Sequence, residues 1–115
     1  MVILDRALGC LLLLGGVGHT LGSFHGYGKD PMMLLWSLCA SLFVFFLGGL
    51  NLLRAGRPGD RALAWFCLIA GICWIVASAR FGMLIGNLFD FRPLIFIVIT
   101  LGLCGFCMRT VARRS

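Results

Sequence analysis

Both histidines of this chain fall in one short stretch, GGVGHTLGSFHGYGKDP (residues 15–31), where an apolar run gives way to a turn. Imidazoles titrate near neutral pH and can donate or accept a hydrogen bond, so His19 and His25 are candidate binding or proton-handling groups. A second polar set, Arg80, Asn87, Asp90 and Arg92, surrounds a later turn. Together these six residues are expected to form a polar mouth, with His19 hydrogen-bonding an apolar small molecule such as a quinone and Arg80 polarising one of its oxygens. Ordinary structural roles compete at each position. An interfacial histidine often bonds a backbone carbonyl, and Arg80 can snorkel to headgroups. The two histidines are six residues apart and would not share a helix face, so a single chain does not offer a bis-histidine haem pair.

The six cysteines are Cys10, Cys39, Cys67, Cys73, Cys104 and Cys107. Four of them, Cys10, Cys67, Cys104 and Cys107, are expected at one depth. Four thiolates there could hold a metal or a cluster. CGFC (104–107) has C-x-x-C spacing, which puts both thiols on one helix face. No histidine or carboxylate is expected in that layer, so the favoured reading is that of small packing residues, with no metal. Asn51 is expected to bond across helices near the end of its run. The sequence has no phosphate-binding glycine loop, no catalytic serine motif and no H-E-x-x-H. No catalytic residue is assigned.

The elements that must position these groups are apolar. The chain has 115 residues, 61% of them hydrophobic and 12% charged, with mean hydropathy +1.05. A water-soluble domain of this size needs more polar surface. Four runs, about 2–21, 32–53, 62–79 and 94–108, are long enough to cross a bilayer as helices, the last one only just. Helices are expected because each satisfies its own backbone in lipid. The first run has Arg6, ALGCLLLL and a small-residue GVG, as a signal peptide would, but Asp5 weakens the basic start, and a retained membrane helix is predicted. The predicted fold is therefore an all-α, four-helix transmembrane bundle in a single domain.

Arginine placement predicts orientation. Arg6, Arg54, Arg57, Arg61, Arg109, Arg113 and Arg114 fall on the side of the termini and middle loop. Lys29, Arg80 and Arg92 fall on the other. Both termini are expected in the cytoplasm of a bacterial inner membrane. The connection 80–93, with FGMLIGNLFDF, is too apolar for an ordinary loop. Its stripe Phe81, Leu84, Ile85, Leu88 and Phe89 predicts an interfacial or re-entrant segment over the mouth. Gly15, Gly18, Gly22, Gly48, Gly49 and Gly71 are expected to let helices pack closely, Gly18 and Gly22 as a small-xxx-small step.

The stretches GGVGHTLGSFHGY, LNLLRAGRPGDRALAW and FGMLIGNLFDFRP give the chain a resemblance to the DoxX-like group and neighbouring four-helix bacterial membrane proteins. The resemblance implies the same four-helix fold, and some members of that broad group are linked to quinone or thiol redox chemistry. The small multidrug transporters fit less well, because helix one here carries only Asp5 at its start and no embedded glutamate. The leading functional expectation is a non-catalytic membrane subunit or scaffold that packs against a larger complex or a second copy. The alternatives are the apolar-ligand site at the outer mouth and an oligomeric transporter or channel. The expected surroundings are the lipid bilayer and other membrane subunits, with no nucleic acid, since no basic stretch is interleaved with aromatics.

Overall fold

In the computed structural model, residues 2–87 and 89–112 are described. Four helices follow one another: α1 (Val2–Tyr27), α2 (Pro31–Ala55), α3 (Arg61–Leu84) and α4 (Phe91–Ala112). At 1.5 Å per residue each runs roughly 33–39 Å, more than the ~30 Å hydrocarbon core of a bilayer. All four are long and apolar enough to cross a membrane.

Aspartates start three of the helices. The Asp30 carboxylate accepts from Met33 N at 3.2 Å, with Pro31 in the first turn. The Asp60 carboxylate accepts from Leu63 N at 3.0 Å, and Asp90 Oδ1 accepts from Arg92 N at 2.9 Å. Each cap satisfies a backbone N–H that the helix itself cannot. The helices nevertheless run further than hydropathy alone predicts, mostly at their C-terminal ends, because a polar residue does not end a helix whose next backbone bond can still form. The first connection shrinks to Gly28–Asp30, and α1 continues past His25.

The expected interfacial segment differs most. Phe81 and Leu84 belong to the end of α3, Ile85 caps it, and α4 opens at Phe91. Among the described residues no separate helix forms between them; Leu88 of the expected stripe lies outside those residues, as do Arg113 and Arg114. Gly86, at φ +79°, reverses the chain, a conformation that costs residues with a side chain.

Buried positions recur three and four residues apart. In α1 they are Asp5, Gly9, Leu12, Gly16 and Ser23. In α4 they include Pro93, Phe96, Thr100, Leu103, Cys107 and Thr110. This is the 3.5-residue seam of a helical bundle. The two hairpins α1/α2 and α3/α4 are the tight pairs, and α1 meets α4 and α2 meets α3 more lightly. The molecule is elongated, 51 × 23 × 21 Å.

The interior combines an apolar cluster of Leu12, Val44, Leu47, Trp74, Phe96, Ile99 and Leu103 with small and polar residues, while large apolar side chains such as Ile3, Phe46, Phe66, Leu84 and Val98 face outward. An exterior this apolar is the reverse of a water-soluble bundle's. Small residues let the backbones approach. A Cβ on Gly48 would lie 3.3 Å from the Gly9 carbonyl and 2.9 Å from Leu13 Cδ2. One on Gly71 would lie 2.7 Å from Cys104 Sγ, and one on Gly15 would lie 2.7 Å from Phe96 Cε1. Gly9, Gly16 and Gly102, not among the expected packing glycines, meet neighbouring helices as closely.

Gly18, Gly22 and Gly49 behave otherwise, since a Cβ on any of them meets nothing within 4 Å. They were expected to seat a neighbouring helix of the bundle, and they do not. The reason is rotational. The α1–α2 seam runs through residues 9, 12, 16 and 23, and positions 18 and 22 lie on the flank of that stripe, one residue out of step.

Candidate functional site

The flank stripped by Gly18 and Gly22 borders a cavity of about 680 Å³ at the loop end of the bundle, walled by all four helices. Aromatic and aliphatic side chains dominate its wall, among them Trp36, Phe81, Phe91, Ile95 and Phe96. A ring series stiffens one side. The His19 edge meets Phe96 at 6.4 Å, Phe96 meets Trp74 edge-on at 5.5 Å, and Trp74 stacks on Phe43 at 5.7 Å. Such pairs add modestly to the burial they accompany.

Few polar groups reach this wall, and each has an identifiable position. His19 Nδ1 and Ser41 Oγ share a hydrogen bond of 2.7 Å between α1 and α2. The other ring nitrogen has no protein partner among the described residues, and His19 lines the cavity. Ser41 is buried and lies off the cavity wall. It therefore holds the ring rather than serving as a nucleophile beside it. One turn further on, Ser23 Oγ donates to His19 O at 2.7 Å and shares a short hydrogen bond with Ser37 Oγ. From α3 come Trp74 and Ser78, whose Nε1 and Oγ are buried and have no partner among the described residues. Thr100 Oγ1, deeper in the core, is likewise unpartnered.

Arg92 reaches the cavity from α4. Its Nε and Nη2 donate to Asp90 at 3.1 and 3.3 Å, and its guanidinium lies 5.9 Å from the Phe81 ring centre. The Arg92 side-chain and backbone hydrogen bonds hold the Asp90 carboxyl below the usual carboxylate range. The pair is thus ionised on both sides at neutral pH and carries no net charge.

Of the six residues expected to form the mouth, His19 and Arg92 line the cavity. The other four do not line it. His25 and Arg80 are exposed, each about 200° around its helix from a buried serine, Ser23 and Ser78 respectively. For Arg80, expected to polarise a ligand oxygen, this is a correction: it sits one turn before the end of α3 with no hydrogen-bond or ion-pair partner among the described residues. Asn87 is exposed and its Oδ1 accepts from Phe89 N at 3.1 Å, shaping its own turn. Asp90 serves α4 and Arg92.

The opposite end, where the termini lie, holds a cluster that sequence reasoning missed. Arg54 donates through Nη2 and Nη1 to the two Asp5 oxygens at 2.6 and 3.0 Å, a buried two-pronged ion pair between α1 and α2. Arg54 Nε donates to Asn51 Oδ1 at 3.2 Å, and Cys107 Sγ of α4 donates to the same oxygen at 3.5 Å. Asn51 Nδ2 is satisfied by Leu47 O at 2.9 Å. A crevice of about 90 Å³ opens beside the pair, lined also by Phe106 and Arg109. Arg61 reaches across to Val111 O at 3.0 Å and answers a carbonyl at the end of α4.

The expected four-thiol layer does not converge. Cys10 is exposed, while Cys67, Cys104 and Cys107 are buried together with Leu68. Among the described residues no group of three or more histidine, cysteine or carboxylate side chains is arranged to hold a metal ion.

A signal for the missed contacts was present. Asp5 and Arg54, His19 and Ser41, and Ser23 and Ser37 each lie about equally far from the turn at Lys29. An antiparallel hairpin brings such residues to one level. Compared with family models, curated proteins and solved structures, the chain finds no match.

Proposed function

We propose that this protein binds an apolar small molecule within the membrane, in the cavity at the loop end of its bundle. The observation that carries this reading is the cavity itself. It is about 680 Å³, walled by aromatic, aliphatic and small residues, and supplied with a histidine of which one ring nitrogen has no protein partner among the described residues. Small-molecule sites typically measure roughly 300–1,000 Å³ and combine an apolar wall with a few fixed polar groups. In this reading the cavity opens at the outer face of a bacterial inner membrane and both termini are cytoplasmic, an orientation supported by the arginine distribution. Membership of the DoxX-like group belongs to the same proposal and rests on the three stretches named above.

Native mass spectrometry of protein extracted gently from its own membranes tests the reading. A small bound mass is expected on the wild type and is expected to be lost from Gly22→Leu, which adds bulk at a cavity-lining position where a Cβ meets nothing within 4 Å. A variant that keeps the same bound mass overturns the proposal.

The scaffold expectation stands as a second reading. Gly49 on α2 and Gly105 on α4 are exposed with open space above them, so a partner helix could approach closely there. Protein subunits that stay with the chain through the same extraction favour it.

A further inference from the structure

The cavity's polar groups define more than a greasy pocket, and their balance of donors and charge narrows what it takes. We infer that its ligand is a neutral lipophile carrying an oxygen acceptor, such as a carbonyl or ether oxygen, anchored from α3 by Trp74 and Ser78; this rests on the reading that the cavity is a ligand site.

Two observations converge. The first is the surplus of donors. The Trp74 indole has only an N–H to offer, and that nitrogen is buried without a partner. The Ser78 hydroxyl, one helical turn away, is also unpartnered, although most helical serines in an apolar setting bond back to the preceding turn, as Ser23 does to His19 O. Both residues are more than nine-tenths buried and both contribute to the cavity wall, but the two polar atoms themselves are closed off from the empty cavity, so a ligand oxygen reaches them only as either side chain shifts. Buried donors left unmade cost free energy, and a ligand oxygen would recover it. An apolar body without acceptors would not.

The second observation is charge. Arg92 is the cationic side chain on the cavity wall among the described residues, and Asp90 already occupies two of its donors. Lys29, Arg80 and His25 stand off the wall. The cavity wall therefore offers an anionic headgroup only a guanidinium already paired with Asp90, and a neutral molecule fits it better.

The test uses the full-length protein in lipid nanodiscs and three probes of one shape: 2-acetylnaphthalene, its hydrocarbon isostere 2-isopropenylnaphthalene, and anionic 2-naphthoate. We expect both neutral probes to bind, the ketone about 3- to 10-fold more tightly, as one or two recovered hydrogen bonds would give. In ¹H–¹⁵N spectra the Trp74 indole proton should move downfield with the ketone only, while that of Trp65, outside the cavity, stays in place. Ser78→Ala should remove part of the ketone's preference and leave hydrocarbon affinity within twofold. Trp74→Phe should remove more of it, and if that variant folds poorly the wild-type indole shift and Ser78→Ala carry the test alone.

Equal affinity for ketone and hydrocarbon, with no selective indole shift, overturns the donor assignment and leaves the cavity as a ligand site. Tighter binding of 2-naphthoate than of the ketone overturns the neutral-ligand assignment. Failure of all three probes to bind, with Gly22→Leu indistinguishable from wild type, overturns the ligand-site reading itself and this inference with it.

Discussion

Removing one member of the Asp5–Arg54 pair is the perturbation whose size the structure sets most directly. Both side chains are almost wholly buried, 2% and 9% exposed, and two parallel hydrogen bonds of 2.6 and 3.0 Å join them. Asp5→Leu removes the charge that answers Arg54 and leaves the guanidinium with Asn51 Oδ1, 3.2 Å from Nε, as its remaining side-chain partner. A buried charge stranded in this way typically costs about 3–5 kcal/mol, a large share of the 5–15 kcal/mol that holds an ordinary domain together. Arg54→Met should cost a similar amount, because it strands the carboxylate. The double variant Asp5→Leu/Arg54→Met should recover most of the loss, since neither charge is then buried. Unfolding titrations in mixed detergent micelles, followed by helicity across the four proteins, give the coupling energy as a double-mutant cycle. The crevice beside the pair supplies the competing outcome. If water enters there and solvates both groups, each single variant will lose under about 1 kcal/mol and the coupling will vanish, as for a surface pair. That result would refute the argument that this ion pair is desolvated and locks α1 against α2.

Two adjacent glycines should separate cleanly in the same titration. Gly48→Ala presses a methyl against Leu13 and the Gly9 backbone and should cost about 1–3 kcal/mol, whereas Gly49→Ala meets open space and should be neutral or stabilising by up to about 1 kcal/mol. Arg80→Gln should leave binding of 2-acetylnaphthalene unchanged within twofold, because Arg80 stands off the cavity wall; a tenfold loss in a calorimetric titration would contradict that placement. Asp90→Asn should free Arg92 and raise affinity for 2-naphthoate relative to the ketone in a salt-sensitive way.

Much of the architecture follows from one-dimensional information. Four apolar runs separated by Asp, Pro and Gly are enough to place four helices, because helix length in lipid and capping chemistry both act over a few neighbouring residues. The same signals underestimated the helices: His25 and Arg80 look like loop or boundary residues by hydropathy, yet α1 and α3 continue through both. Polarity alone does not end a helix whose next backbone bond can still form. His19 was legible as a candidate because a histidine at the end of an apolar run is conspicuous. Its partner Ser41 and the neighbouring Ser23–Ser37 pair were not, because serines in apolar helices announce nothing until two helices are set side by side.

Composition and hydropathy were enough for the number of helices, their membrane-spanning length and the amino-acid inventory of each end. Tertiary structure alone decided which of those residues meet. Whether Gly18 lies in a seam or on a cavity wall depends on the rotation of α1 about its axis, and one residue of phase, 100°, separates the two outcomes. Asp5 and Arg54 could each have met headgroups at the ends of their helices. They meet each other because the hairpin turn at Gly28–Asp30 sets the register and Gly9 and Gly48 let the two backbones close on one another. Register and rotation are properties of packed pairs, fixed by side-chain volumes on two helices at once, and no single stretch of sequence carries them.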